Sequence, residues 1–213
     1  MKKTTWDKRS PDFLRKENQL RMDEPVRQMI ADKVADSCSS VLDVGCASCI
    51  SYPYFKEAKV KYTGIDFTEQ FIDRAKELYP RIKAIKMDAT KMLFSDNSFD
   101  AVYCKAVIEH IPPYDLRMVL GEMCRVARKL VLIAFFLAPT NEQTDYRWHH
   151  KGAWINRYFK EDLLEILEQL NWHLAEEIPK IGGYNIWMLQ KEQQTPGEEK
   201  DERPECDLRT QKI

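Results

Sequence analysis

Three aspartates in this 213-residue chain stand where short apolar runs end. Asp43 lies within Val41-Leu42-Asp43-Val44, two residues before Gly45; Asp66 closes Thr63-Gly64-Ile65; Asp88 follows Ile85-Lys86-Met87. A strand that ends in a small-residue loop lets a ligand approach the backbone, and a carboxylate there can hold an ammonium group. A phosphate would be repelled by the same charge. Asp66 follows Gly45 by 21 residues, close to the ~20-residue spacing at which a carboxylate accepts from both hydroxyls of a ribose. Asp88, one strand further on, can accept from an adenine amino group. Each residue has an ordinary alternative: Gly45 as a simple turn, Asp66 as a helix cap, Asp88 as a solvated loop acid. Thr68 is the better candidate for the cap, which leaves Asp66 for the ligand. The three assignments support one another.

Such residues need strands to carry them. Apolar runs at 41–44, 62–65, 82–87, 99–103 and 129–137 read as strands. The last is continuous in apolar residues, as suits a strand covered on both faces. Helical stretches alternate with them. One begins near Pro25 with Val26, Met29, Ile30 and Val34 on a stripe; one reaches Ala58 with Pro53 interrupting or kinking it. Another is capped by Thr68 and carries Phe71, Ile72 and Ala75. A fourth carries Leu116, Val119, Leu120, Met123 and Val126. After Pro139 comes a long aromatic loop, a helix at 160–170, and two strands around 172–177 and 184–189 flanking Gly182-Gly183. Alternating strands and helices predict a three-layer α/β fold, an open and mostly parallel sheet. Ligands of such sheets bind beyond the carboxyl ends of the strands. Residues 1–40 read as a helical extension and possible lid, 41–190 as the binding domain, and 191–213 as a charged, disordered tail.

Val41-Leu42-Asp43-Val44-Gly45-Cys46, Tyr62-Thr63-Gly64-Ile65-Asp66, Met87-Asp88-Ala89, the stretch at 95–102 and Val107-Ile108-Glu109-His110-Ile111 together resemble class I S-adenosylmethionine-dependent methyltransferases, in that family's order and spacing. The likeness is to the broad group acting on small molecules, and it covers residues 41–131 most closely. It implies a Rossmann-like, doubly wound sheet of seven strands with the last antiparallel. It implies S-adenosylmethionine as methyl donor and S-adenosylhomocysteine as product. Carried over by position, Asp43 and Gly45 lie near the methionine part, Asp66 on the ribose, and Asp88 and Ala89 at the adenine. Lys105 and Ala106 lie beside the cofactor, with Cys46, Ala47 and Phe67 in the same binding set. The family prefers glycine where this chain has Ala47 and Cys49. A non-catalytic module binding the same cofactor is therefore the alternative reading.

Other readings of these residues are weaker. Cys46 and Cys49 have the spacing of a redox dithiol at a helix start, but small reduced side chains explain them more simply. No second cysteine pair is spaced for zinc, and no metal is assigned. Ile111-Pro112-Pro113-Tyr114 lacks the polar first residue of an amino-methylating nucleic-acid enzyme and reads as a helix-opening loop. A nicotinamide-binding turn would require glycines where Ala47 and Ile50 stand.

Methyl transfer from a sulfonium needs alignment of the acceptor and, for some acceptors, a base. The candidate bases are His110, after the fourth strand, and His149 and His150 in the long loop. The same loop supplies the candidate acceptor-binding residues Arg147, Trp148, Trp154, Arg157 and Tyr158, which suit a flat or anionic small molecule.

The whole composition agrees. Hydrophobic residues make up 44% and charged residues 31% of the chain, a globular balance, and the net charge is −1. That gives no support to binding nucleic acid through a basic surface. The longest apolar run, 130–138, is far below the ~20 residues of a membrane span, and the first six residues lack the apolar core of a signal peptide. The expectation is a cytoplasmic monomer or homodimer acting on a small molecule, with its six cysteines reduced.

Overall fold

A computed structural model describes residues 24–137, 144, 148–149, 153–181 and 183–191, with backbone alone at 148, 149, 153 and 179–181. Helix α1 (Glu24–Ala35) leads to β1 (Ser40–Val44), α2 (Tyr52–Glu57), β2 (Lys61–Asp66), α3 (Glu69–Leu78) and β3 (Ala84–Lys86). Next come β4 (Phe99–Lys105), a 3-10 turn (Ile108–His110), α4 (Pro113–Val126) and β5 (Ala127–Phe135). A two-stranded ribbon, β6 (Trp148–His149) and β7 (Ala153–Trp154), precedes α5 (Lys160–Glu168), β8 (Trp172–Ile181) and β9 (Tyr184–Lys191).

Seven strands form one sheet in the order β3-β2-β1-β4-β5-β9-β8. Strands β1 to β5 pair in parallel, and β9 runs antiparallel to both β5 and β8. This is the doubly wound arrangement with a reversed last strand. The period-two alternation of each strand supplies two apolar faces. Leu42, Val44, Ile65, Val102, Cys104, Val131 and Ile133 face α4 and α5, which bury Leu116, Val119, Leu120, Met123, Leu163 and Leu167. Val41, Tyr62, Ala101, Tyr103, Leu130 and Leu132 face the opposite layer, built from Val26, Ile30, Val34, Phe55, Ile72 and Ala75 of α1 to α3.

Several boundaries differ from expectation for local reasons. Pro53 stands in the first turn of α2 and so starts that helix instead of kinking it. Ile82 belongs to a turn, its N–H donating to the Tyr79 carbonyl at 2.8 Å, which leaves β3 only three residues long. β4 runs on to Lys105, which pairs with Ala134 of β5. α4 passes directly into β5 at Ala127, two residues early. Arg128 secures this junction, donating to the Asn97 carbonyl at 3.2 Å and pairing with Asp100 at 3.1 Å. Of the N-terminal forty residues, α1 is described and packs as a layer of the domain. Residues 1–23, with Trp6, Phe13, Leu14 and Met22, and the tail at 192–213 lie outside the described residues.

Candidate active site

The strand order reverses between β1 and β4, and the backbone there is strained. Gly45, Ala47, Cys49 and Ala106 all take left-handed conformations, with φ of 71°, 48°, 56° and 54°. For the three non-glycine residues this costs free energy and is held in place by the surrounding contacts. At Gly45 no side chain fits: a Cβ would stand 2.4 Å from Val107 Cγ2. The glycine therefore lets the loop after β1 touch the loop after β4. Ala47 and Cys49 adopt the conformation glycine would favour, so the loop keeps its shape without those glycines. The Cys49 thiol turns inward, away from the loop surface. A Cβ on Gly64 of β2 would stand 2.9 Å from Cys49 Sγ and 2.8 Å from Cys46 Sγ, so Gly64 makes the room both thiols occupy. The two sulfurs lie 3.6 Å apart. Burial pushes the Cys46 thiol well above its ordinary range, the reverse of an acidic redox thiol.

The loop N–H groups are already engaged. Those of Gly45 and Cys46 donate to the Ile65 carbonyl at 2.8 and 3.0 Å. That of Ala47 donates to Asp66 Oδ2 at 3.0 Å, while Asp66 Oδ1 accepts from the Thr68 N–H at 2.8 Å. Asp66 is thus itself the cap of the segment entering α3. Thr68, expected to cap with its hydroxyl, has that hydroxyl buried, with no hydrogen-bond partner among the described residues. Two backbone bonds fix the Asp66 carboxylate at the tip of β2. Asp88 Oδ1 accepts from both the N–H and the hydroxyl of Thr90, at 2.9 and 2.8 Å, an Asx-type turn that orients the carboxylate. Ala89 packs against the core beside it, and Phe67 is part-buried beyond β2.

Asp43 is buried on the α1–α3 side of the sheet. Its Oδ2 accepts from the Tyr62 hydroxyl at 2.6 Å. Burial raises its carboxyl to about 7, against the pull of that hydrogen bond and of the Arg27 guanidinium; Asp66 pushes the same way as burial. Arg27 comes from α1 and donates to Ser51 Oγ at 2.6 Å. Neither Arg27 nor Tyr62 was singled out by the sequence, because their positions on a polar helix and a strand carry no local signal of the partner they meet.

A second buried carboxylate sits just past β4. Glu109 is 1% exposed, and among the described residues no donor meets full hydrogen-bond geometry at either of its oxygens, although the Glu109 and Phe136 backbones lie close to them. Burial raises its carboxyl to about 7; the backbone of Glu109 and Phe136 and the Lys105 ammonium pull weakly the other way. It in turn helps hold the Cys104 thiol high. The motif that drew attention to His110 contains this residue, and its setting between Ile108 and Ile111 was the available signal.

The same turn is latched to the long loop. The Asn156 N–H donates to the Glu109 carbonyl at 2.8 Å, and Asn156 Nδ2 to the Ile111 carbonyl at 2.8 Å. The Tyr158 hydroxyl donates to the Ile108 carbonyl at 2.6 Å. His110 Nδ1 lies 2.7 Å from the Trp154 carbonyl. A carbonyl only accepts, so Nδ1 carries the proton and Nε2 is the basic nitrogen of the neutral ring. Among the sequence candidates for the acceptor, Tyr158 is instead a core residue of this latch, 1% exposed. Arg157 is exposed, and Trp154 is part-buried against the turn. Trp148 and His149 pair through their backbones with Trp154 and Ala153. Arg147 and His150 lie outside the described residues.

The donor set suits S-adenosylmethionine. Carboxylates at the neighbouring tips of β2 and β3 match hydroxyls and an amino group, and loop N–H groups already spoken for leave little for a phosphate. Among the described residues no group of three potential metal ligands occurs, and no helix is long and apolar enough to cross a membrane.

A family model described as a methyltransferase domain matches residues 41–129. The chain is 30% identical over 169 residues to the phosphatidylethanolamine N-methyltransferase of Cereibacter sphaeroides, covering 70% of this chain and 81% of that one. It is 33% identical over 118 residues to the demethylmenaquinone methyltransferase of Renibacterium salmoninarum, covering 54% and 48%. The fold matches that of Burkholderia thailandensis 1,6-didemethyltoxoflavin-N1-methyltransferase, solved with 1,6-didemethyltoxoflavin and S-adenosylhomocysteine. That match has a TM-score of 0.67 at 17% identity, over 85% of this chain and 86% of the other. With its sheet order, its strand-tip loops and this relationship to a known methyltransferase, the chain belongs to the class I S-adenosylmethionine-dependent methyltransferases.

Proposed function

We propose that the protein transfers the methyl group of S-adenosylmethionine to a nitrogen or oxygen atom of a small-molecule acceptor by in-line displacement. The observation that carries this reading is the Asp66 carboxylate, pinned at the β2 tip by the Ala47 and Thr68 N–H groups beside the Gly45 turn. In this reading Asp66 accepts from the ribose hydroxyls and Asp88 from the adenine amino group. Asp43 attracts the methionine ammonium from beneath the loop, and Gly45, Cys46, Ala47, Phe67, Ala89, Lys105 and Ala106 shape the surrounding wall. Bound there, the cofactor supplies a methyl group on a good leaving group. The chain's own residues orient the acceptor, exclude water and hold a proton. His110, with its Nδ1 proton committed to the Trp154 carbonyl, offers Nε2 as base. Trp154 and Arg157, beside the Asn156 and Tyr158 bonds to this turn, contact the acceptor in this reading; His149 and His150 are further candidate bases, and Arg147 and Trp148 further acceptor contacts.

The acceptors named for the relatives differ in kind, so the acceptor is to be read from this chain's own residues. Calorimetric titration with S-adenosylhomocysteine tests the cofactor half. Wild-type protein binds at one site, and Asp66→Ala weakens binding by about 1–3 kcal/mol. No heat at millimolar ligand would leave the fold serving some other purpose, and an unchanged affinity in the variant would remove Asp66 from the ribose.

A further inference from the structure

Residues 87–98, between β3 and β4, form neither helix nor strand, so their backbone polar groups need partners elsewhere. This segment carries Asp88, and it is pinned on both sides of that residue. Before it, the Met87 N–H donates to the Asp66 carbonyl at 2.9 Å, which joins the β3 tip to the β2 tip. After it, the Asp88 carbonyl closes a turn by accepting from the Lys91 N–H at 3.2 Å, and Met92 follows at once.

Met92 is gripped by an ion pair on α4. Its N–H donates to Glu122 Oε2 at 2.6 Å, and its carbonyl accepts from Arg125 Nη2 at 3.0 Å. Arg125 and Glu122 meet as a fork, Nε to Oε1 at 2.6 Å and Nη2 to Oε2 at 2.9 Å. The remaining nitrogen, Nη1, donates to the Phe94 carbonyl at 2.7 Å and to Asp96 Oδ1 at 2.8 Å. One planar guanidinium thus engages two carbonyls and two carboxylates, a set of directions that a lysine ammonium does not reproduce. The packing keeps the same register. Met92 is buried, Leu93 is exposed, and the Phe94 ring meets Phe99 edge-on with centroids 5.0 Å apart.

We propose that Arg125 is a positioning residue for the cofactor: with Glu122 it holds the Met92 end of the Asp88 turn, and so sets the Asp88 carboxylate against the adenine amino group. This rests on the methyltransferase reading above and deepens it. A hydrogen bond weakens steeply with angle and distance, and a turn pinned at one end alone is free to swing. Pinned at both ends, the carboxylate loses little further freedom when the ligand arrives. A clamp that served folding alone would change the fraction of competent protein, and so the apparent affinity for every ligand by one factor. A positioning residue changes the ratio between ligands that differ at the amino group.

The test is calorimetric titration with S-adenosylhomocysteine and with S-inosylhomocysteine, in which a ring carbonyl replaces the amino group and turns an acceptor toward Asp88. Wild-type protein prefers the adenine ligand at least about tenfold, and Asp88→Ala abolishes the preference. Arg125→Lys, which keeps the charge and loses the fork, cuts the preference to about threefold or less. In the Asp88→Ala background the same substitution leaves the ratio of the two affinities where it was. Glu122→Gln keeps an acceptor for the Met92 N–H but weakens the pair with Arg125, and lowers the preference by a smaller factor. It carries the test should Arg125→Lys not fold. A preference undiminished in these variants, or an equal loss of affinity for both ligands, overturns the proposal alone. Wild-type protein that binds both ligands equally removes Asp88 from the adenine and this proposal with it. Protein that binds neither refutes the methyltransferase reading as well.

Discussion

Two buried acids of this chain oppose folding when they ionise, and their titration exposes it. Glu109 holds its proton up to about 7 against an ordinary 4.5, and Asp43 to about 7 against 3.8. Because each is raised, its contribution to stability is complete below about pH 4 and is lost as pH rises through about 7. For Glu109 the difference amounts to about 3 kcal/mol. Glu109→Gln keeps the shape and never ionises. Thermal denaturation should therefore find the variant more stable than wild type at pH 8 and nearly equal at pH 4.5. A variant less stable than wild type at pH 8 would mean that Glu109 has a partner in the folded chain. Sequence spacing singled out Asp43, Asp66 and Asp88, since strand-end position and a 21-residue interval are local facts. It passed over Glu109, because a carboxylate's burial is set by segments such as the one at Phe136, far along the chain.

At the scale of elements, the site is a set of junctions between loops. Gly45 lets the β1 loop lie on Val107 of the β4 loop, and Gly64 lets two thiols tuck under the same turn. Asn156 and Tyr158 then fasten the long loop onto the turn that holds Glu109 and His110. Gly45→Ala should cost about 2–4 kcal/mol, part from the left-handed backbone and part from collision with Val107. Adding Val107→Ala should return the steric share, so the two substitutions are non-additive in a chemical-denaturation cycle. Strict additivity would show that the loops do not press on each other. The sequence made Gly45 legible as a turn, and the aromatic loop conspicuous by its length. It misread Tyr158 as an acceptor contact, since one exposed-looking tyrosine in an aperiodic stretch gives no sign that its hydroxyl reaches the Ile108 carbonyl.

At the scale of the molecule, strands and helices alternate so regularly that the open, mostly parallel sheet was readable from apolar runs and turn residues, while its reversed last strand was implied by the family resemblance. What escaped the sequence was the layer formed by α1, whose Val26, Ile30 and Val34 complete the core and whose Arg27 reaches the surroundings of Asp43. That placement ties the start of the described chain to the cofactor side of the sheet. The central claim is that the tips of β1, β2 and β3 together hold one S-adenosylmethionine. Its most direct test is a crystal structure of the protein soaked with S-adenosylhomocysteine. The account predicts ribose hydroxyls on the Asp66 oxygens and the adenine amino group at Asp88, above a Gly45 turn unchanged in conformation. Density for the nucleoside at another edge of the sheet, with the Asp66 carboxylate facing only water, would contradict it.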